Sequence, residues 1–383
     1  MIENKLEKIL TLQTPAYYYD IDFLNSTIVN AIEYSKILNS IVCYSLKANA
    51  NDKILKEIRK YNLGADCVSL KEMEKALEFK FNPIVLAGVG KTDEELEFAI
   101  QNNIFSINVE SIEELKIIIQ ISKKLNKKAN ISLRINPNVD PLTHKYITTG
   151  LEENKFGINM NELNSAIEII TQDTDSLNFI GLHFHIGSQI LDFNVFKNYC
   201  LRINEVINYF EERGFNLKYI NVGGGLGVDY YNPNTIPDFK NYFSTFYRFL
   251  NHTNKVIIFE LGRSIVAQCG IYITKVLYIK DSLNSNKKKI ILNGGMNHLI
   301  RPALYQAFHL IQNLSKYYEN PIYLYDVYGP ICESTDCFGK NVLLPLTERN
   351  DILGIRSAGA YGEVMISNYN LKGYPYIYFS DEF

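Results

Sequence analysis

The chain is expected to fold as an α/β protein: a (β/α)8 TIM-type barrel plus a mainly antiparallel C-terminal β domain. Three observations lead there. Short β-branched or apolar runs recur eight times over the first two-thirds of the 383 residues. Segments with apolar residues at helical spacing separate them. After about residue 270 this alternation stops, and strand-like runs follow one another with few helices between. Strands that alternate with helices pair in parallel, because each return to the same sheet needs a crossover. Eight such units suit a closed barrel.

Taken in order, AYYYDID (16–22) precedes the barrel and is free to pair into the β domain. The barrel strands are expected at 41–46, 63–67, 84–87, 105–109, 131–135, 180–185, 219–222 and 256–260. ESIEELKIIIQISKKL (110–125) and DFNVFKNYCLRINEVINYFEER (192–213) carry the helical spacing most clearly. IYITKVLYIKD, KKIILNGG, PIYLYDVYG and NVLLP supply the later strands. The barrel is therefore assigned to residues 25–268, and the β domain to 1–24 with 269–383.

Composition narrows the function. A formal net charge of −3 argues against nucleic acid as the main partner. The lysine run KKLNKK (123–128) alternates with other residue types as a solvated helix face does. Six cysteines, at 43, 67, 200, 269, 332 and 337, form no CxxC pair, which suits a reducing compartment. MIENKLEKIL has no cationic leader with an apolar core, and no apolar run approaches the roughly 20 residues of a membrane helix. A cytoplasmic protein is expected.

The residues at or near the C-terminal ends of the barrel strands are Lys47, Asp66, Gly88, Arg134, His185, Gly223 and Glu260. In a barrel those ends share one mouth, where catalytic groups gather. Lys47 stands out among them. In IVCYSLKANAN (41–51) an apolar strand finishes on a long cation and then on small residues. Such a lysine ordinarily snorkels to water. Its company at the rim makes it a candidate for chemistry instead.

Three motifs qualify that picture. GVGKT (88–92) ends like a nucleotide P-loop, but the glycine that loop needs is replaced by Val85. GGGLG (223–227) lacks the dinucleotide spacing, since Val228 stands at the third glycine's place. Glycine clusters do expose backbone N–H groups that cradle one phosphate. A barrel's phosphate site commonly follows strands seven and eight, where this cluster and ELGRS (260–264) fall. HFH (183–185) would place two imidazoles on one face of a strand. A metal pair completed by Asp66 or Glu260 stays open at this point. The preferred reading makes His185 an aromatic platform and His183 a hydrogen-bonded core residue, with no metal.

A lysine, a phosphate cradle, a ring-sized platform and a carboxylate together fit pyridoxal 5'-phosphate. That cofactor takes a lysine for covalent attachment, donors for its phosphate and a partner for its ring nitrogen. Glu260 at that nitrogen would keep it protonated and the ring electron-withdrawing.

The motifs YSLKANAN, GADCVS, GVGKTDEE, HKYITTGLEENKFGI, HFHIGSQI, NVGGGLG, ELGRSIV, RPALYQAFH, GPICESTDCF and GAYGEVMISNYN occur in this order. In them the chain resembles the pyridoxal-phosphate decarboxylases built on an alanine-racemase-like barrel, the fold type III enzymes. The resemblance implies that Lys47 carries the cofactor and His185 stacks on its ring. It implies phosphate contacts from Ser188, Gly225, Gly262, Arg263 and Tyr361, and Glu260 at the ring nitrogen. Asp66 and Arg134 would lie close to the cofactor. Arg263, Arg301, Tyr305 and Tyr361 would meet an amino-acid substrate. Cys332, as proton donor, and Glu333, as substrate ligand, would reach into the partner's site of a homodimer. The implied reaction converts meso-2,6-diaminopimelate to L-lysine and carbon dioxide, the last step of lysine synthesis. Ornithine, lysine or carboxynorspermidine are the alternative substrates. Arg301 and Glu333 offer a cation and an anion to a distal ammonium and carboxylate, and arginine can clamp a carboxylate with two donors. Leu261 and Thr335 depart from the family pattern, which usually has proline and glycine there.

Overall fold

The computed structural model describes residues 3–139, 155–281 and 287–382. They fall into two compact units. One comprises Ile28–Gly227 and Asp238–Gly262; the other comprises Met1–Thr27, Val228–Pro237 and Arg263–Phe383. Val228–Pro237 and residues 263–268 thus group with the β unit, although the sequence reading puts them in the barrel. The two segments are tied to each other by the Gln268 amide, which donates to the carbonyl oxygens of Thr235 (2.7 Å) and Asn232 (3.4 Å).

The first strand, β1 (Ala16–Tyr19), belongs to the β unit. The next eight are β2 (Ser40–Ser45), β3 (Gly64–Cys67), β4 (Ile84–Leu86), β5 (Ser106–Val109), β6 (Ala129–Arg134), β7 (Leu177–His183), β8 (Tyr219–Asn221) and β9 (Val256–Leu261). They close in chain order into a parallel barrel, with β9 returning to β2.

The helix Phe193–Glu211 shows why the layer outside the strands forms. It buries Val195, Phe196, Tyr199, Cys200, Ile203, Val206, Ile207 and Phe210, positions that share one face at 3.6 residues per turn. Phe196 meets Tyr242 edge-on at 4.9 Å, and Phe246 meets Phe259 of β9 edge-on at 5.1 Å.

GVGKT proves to be a helix start. Thr92 and Glu95 form a reciprocal capping box for the helix Asp93–Gln101. Lys91 is consumed structurally by Glu114 (2.7 Å) and by the carbonyl oxygens of Gly88 (2.8 Å) and Asn108 (2.7 Å).

The β unit adds β10 (Gly270–Asp281), β11 (Lys288–Leu292), β12 (Ile311–Asn313), β13 (Tyr323–Tyr328), β14 (Cys337–Leu344), β15 (Ile352–Ile355) and β16 (Tyr376–Phe379). β10 is its spine, pairing antiparallel with β1, β11 and β15. Only β1–β16 and β11–β13 pair in parallel among the described strands of this unit, so it is mainly antiparallel. β1 stops at Tyr19, short of the expected 22, because the helix Ile21–Ser35 begins there. The Asp20 carboxylate accepts the Phe23 N–H at 3.1 Å at that helix start.

Strand spacing leaves little room at Gly181 on β7, where an added Cβ would lie 1.9 Å from the Tyr219 carbonyl oxygen. Gly181→Ala is therefore expected to cost about 1–3 kcal/mol through overpacking. Gly90→Ala, whose methyl would meet nothing within 4 Å, should stay within about 0.5 kcal/mol of wild type. Urea-denaturation midpoints of the two variants check both values.

Candidate active site

In the barrel unit, β2 lies between β3 and β9, with Ser45 opposite Asp66 and Cys43 opposite Glu260. Lys47 follows β2 in the short turn Leu46–Ala48, and its Nζ is 2.9 Å from Asp66 Oδ2. Asp66 is fully buried, and its Oδ1 has no partner among the described residues. Burial and the nearby Glu260 charge raise its pKa, against the opposing pull of Lys47.

Glu260 has the better-furnished environment. Its Oε1 accepts from the Asn221 amide at 2.6 Å and the Asn108 amide at 3.4 Å, and its Oε2 faces His183 Nε2 at 3.2 Å. Burial works to raise this carboxyl, but His183 and the Lys47 charge outweigh it and bring its pKa to about 2. The carboxylate therefore stays ionised across the neutral range. The contacts of Asn108 and Asn221 with Glu260 were not expected: Asn108 lies within β5 outside any motif, and NVGGGLG, which Asn221 opens, does not mark it as a carboxylate partner.

HFH does not continue the sixth barrel strand, β7, through to His185 as expected. β7 ends at His183, so the two imidazoles do not project from one strand face. His183 sits on Glu260, whereas His185 lies beyond the strand and its Nδ1 accepts the Gly224 N–H at 3.3 Å. Burial, then the Arg134 and Lys47 charges, push the His185 pKa well below its ordinary value. A neutral ring accepting at Nδ1 carries its proton on Nε2. Arg134 itself ends β6 and is ion-paired with Glu110, which also accepts the Gly157 N–H at 2.9 Å.

The glycines after β8 permit close approach. A Cβ on Gly223 would lie 2.5 Å from His185 Nδ1, and one on Gly224 would lie 2.1 Å from the Glu260 carbonyl oxygen. Gly223 and Gly225 have φ of +65° and +105°, a region that favours glycine. The loop bearing half-buried Ser188 is tied to this cradle by Ile190 N–H to the Gly225 carbonyl (3.0 Å) and Gly227 N–H to the Ile190 carbonyl (2.9 Å). Gly262 is buried just past β9.

The β unit carries a second cluster. Buried Arg263 and Arg301 both donate to the Tyr230 hydroxyl, at 2.9 and 2.8 Å. Arg263 also lies 4.9 Å from the centre of the Tyr361 ring, and half-buried Tyr305 ends the helix Arg301–Tyr305. Tyr230 was not among the expected residues. Cys332 and Glu333 are exposed, on a loop framed by buried Asp336, whose carboxylate accepts the N–H groups of Met296 and Ile331, each at 2.7 Å. The Cys332 N–H donates to Asn370 Oδ1 at 3.2 Å, and Glu333 accepts from the Tyr369 hydroxyl.

The family described as pyridoxal-dependent decarboxylase, pyridoxal binding domain, matches residues 26–267. A diaminopimelate decarboxylase of Bacteroides thetaiotaomicron is 49% identical, over 98% of this chain and 98% of that protein. The chain belongs to the diaminopimelate decarboxylase family of pyridoxal-dependent decarboxylases.

Diaminopimelate decarboxylase from Helicobacter pylori, solved in complex with L-lysine, superposes with a TM-score of 0.89 at 40% identity, covering 98% of this chain and 94% of that one. A Chlorella virus arginine decarboxylase, at 22% identity and a TM-score of 0.82, shares the fold. The residues present fit the family's cofactor: an amine at Lys47, an ionised carboxylate at Glu260, and a glycine turn packed so closely on His185 and the Glu260 backbone that 223 and 224 admit no Cβ.

Because the Glu260 pKa is depressed in the fold, its ionised form stabilises the protein above its ordinary value of 4.5, and this contribution is lost as pH falls toward about 2. Glu260→Gln should therefore be less stable than wild type at pH 7, with the gap narrowing below pH 4.5. Guanidinium-denaturation midpoints over that range check it.

Proposed function

We infer that this diaminopimelate decarboxylase family member converts meso-2,6-diaminopimelate to L-lysine and carbon dioxide, the last step of lysine biosynthesis. The observation that carries the reading is the 49% identity, over nearly the whole chain, to a protein of that activity. The relative solved with L-lysine, at 40% identity, points the same way.

Lys47 would hold the cofactor through its ε-amine. His185, neutral, would serve as the platform for the cofactor ring, and Glu260 would keep the ring nitrogen protonated. Ser188, Gly225, Gly262, Arg263 and Tyr361 bind the phosphate; Asp66 and Arg134 shape the surroundings of Lys47 and His185. When bound, pyridoxal phosphate supplies an electron-withdrawing ring that takes up the electron pair left as carbon dioxide departs. Arg301, with Arg263, Tyr305 and Tyr361, receives the substrate, and Glu333 meets its distal ammonium. Cys332 returns a proton to Cα. In this reading residues 25–268 supply most of the cofactor's ligands, while 1–24 and 269–383 supply Tyr361, Arg301 and the loop of Cys332.

Cys332 and Glu333 are exposed in the single chain, which supports their serving the site of a second copy in a homodimer. No described helix is long and apolar enough to cross a membrane; a cytoplasmic enzyme without a nucleic-acid partner accords with the composition. Another amino acid, such as ornithine, lysine or carboxynorspermidine, is favoured only by Thr335, the residue beside that loop where relatives usually have glycine.

Carbon dioxide release from each candidate amino acid tests the assignment: meso-diaminopimelate is expected to be the best substrate, and ranking it last contradicts the reading. Lys47→Ala and Cys332→Ala, each inactive alone, should recover about one quarter of wild-type activity when dissociated and mixed, since half of randomly paired dimers hold one intact site.

A further inference from the structure

Arg301 is held from two sides. Its Nη1 donates to the Tyr230 hydroxyl at 2.8 Å and also meets His309 Nε2 at 3.0 Å. His309 Nδ1 lies 2.8 Å from the Arg356 carbonyl oxygen, which can only accept. The ring proton therefore sits on Nδ1, and Nε2 is an acceptor for the guanidinium. Burial and the Arg301 charge bring the His309 pKa to about 3, so this neutral tautomer persists at working pH. The Tyr230 ring stands edge-on to His309, with centroids 5.1 Å apart, and its hydroxyl also takes Arg263.

Arg301 Nε contrasts with Nη1. It is buried and has no partner among the described residues. A buried charged donor left without an acceptor is costly, and Nε lies on the guanidinium edge opposite the one that Nη1 commits. Pinning Nη1 fixes the plane of the group and presents the other edge for two-point contact with a carboxylate.

We propose that Tyr230 and His309 are positioning residues: they fix the Arg301 guanidinium so that its Nε edge receives the carboxylate that the substrate retains. They thereby set the preference for a substrate bearing a carboxylate at its far end. This rests on the proposed reaction, in which that carboxylate becomes the carboxylate of lysine.

The test uses the cofactor-loaded enzyme and two competitive inhibitors, L-lysine and 1,5-diaminopentane, which differ by that carboxylate. In Tyr230→Phe, which removes only the hydroxyl, KM for meso-diaminopimelate and the inhibition constant of lysine should each rise about tenfold, the scale of a hydrogen bond to a charged group. The inhibition constant of 1,5-diaminopentane and kcat should move less than about twofold, within the scatter of a substitution that leaves transition-state contacts intact. His309→Leu should behave like Tyr230→Phe, whereas His309→Gln, whose amide oxygen accepts, should keep most lysine affinity; this pair decides the matter if Tyr230→Phe does not fold. Equal weakening of both inhibitors overturns the positioning role in favour of a structural one, and no change in either overturns it outright. A wild-type enzyme that takes both inhibitors equally overturns instead the substrate assignment on which the proposal rests.

Discussion

Parallel closure of the barrel is the constraint from which the site follows. Because β9 returns to β2, the strand preceding Lys47 has a carboxylate-bearing neighbour on either side, Asp66 and Glu260. One cation thus faces two buried acids. Their surroundings push them apart: Glu260 collects His183, Asn221 and Asn108, while Asp66 has Lys47 and one oxygen without a partner among the described residues. The first is driven toward the anion and the second away from it. Two acids of the same chemistry acquire different protonation behaviour from environment alone.

The site tolerates little bulk for the same reason. His185 and the Glu260 backbone approach the chain after β8 so closely that Gly223 and Gly224 have no space for a side chain. The two departures from the family pattern do not disturb this. Leu261 ends β9 opposite Tyr44 and is 1% exposed, an apolar contribution to the barrel wall. Thr335 is exposed, with its hydroxyl 3.7 Å from the Met296 sulfur, while the loop is framed by its neighbour Asp336.

Much of this was legible in the sequence, for identifiable reasons. Buried parallel strands are short β-branched runs, so all eight could be read off, and a charged residue finishing such a run marks the barrel mouth. The role of Asn108 and Asn221 was illegible because register creates it: they lie 152 and 39 residues from Glu260, Asn108 reaching it from β5 and Asn221 from the neighbouring strand β8. Tyr230 and His309 were missed as partners of Arg301: GVDYYNP lies 71 residues away, and RPALYQAFH, though it holds both Arg301 and His309, does not show that the two side chains meet. In HFH the period of two does not carry through, because the strand stops at His183, two residues before His185, while His183 is the buried, hydrogen-bonded residue expected. The motif HKYITTGLEENKFGI (144–158) lies largely outside the described residues.

The central claim is that the amine of Lys47, beside Asp66, is where the cofactor is bound covalently. Borohydride reduction of the pyridoxal-phosphate-loaded protein, followed by peptide mass spectrometry, tests it most directly. The account predicts the reduced cofactor on the peptide containing Lys47 and on no other lysine. Label on a different lysine, or none on a folded protein supplied with the cofactor, would contradict it.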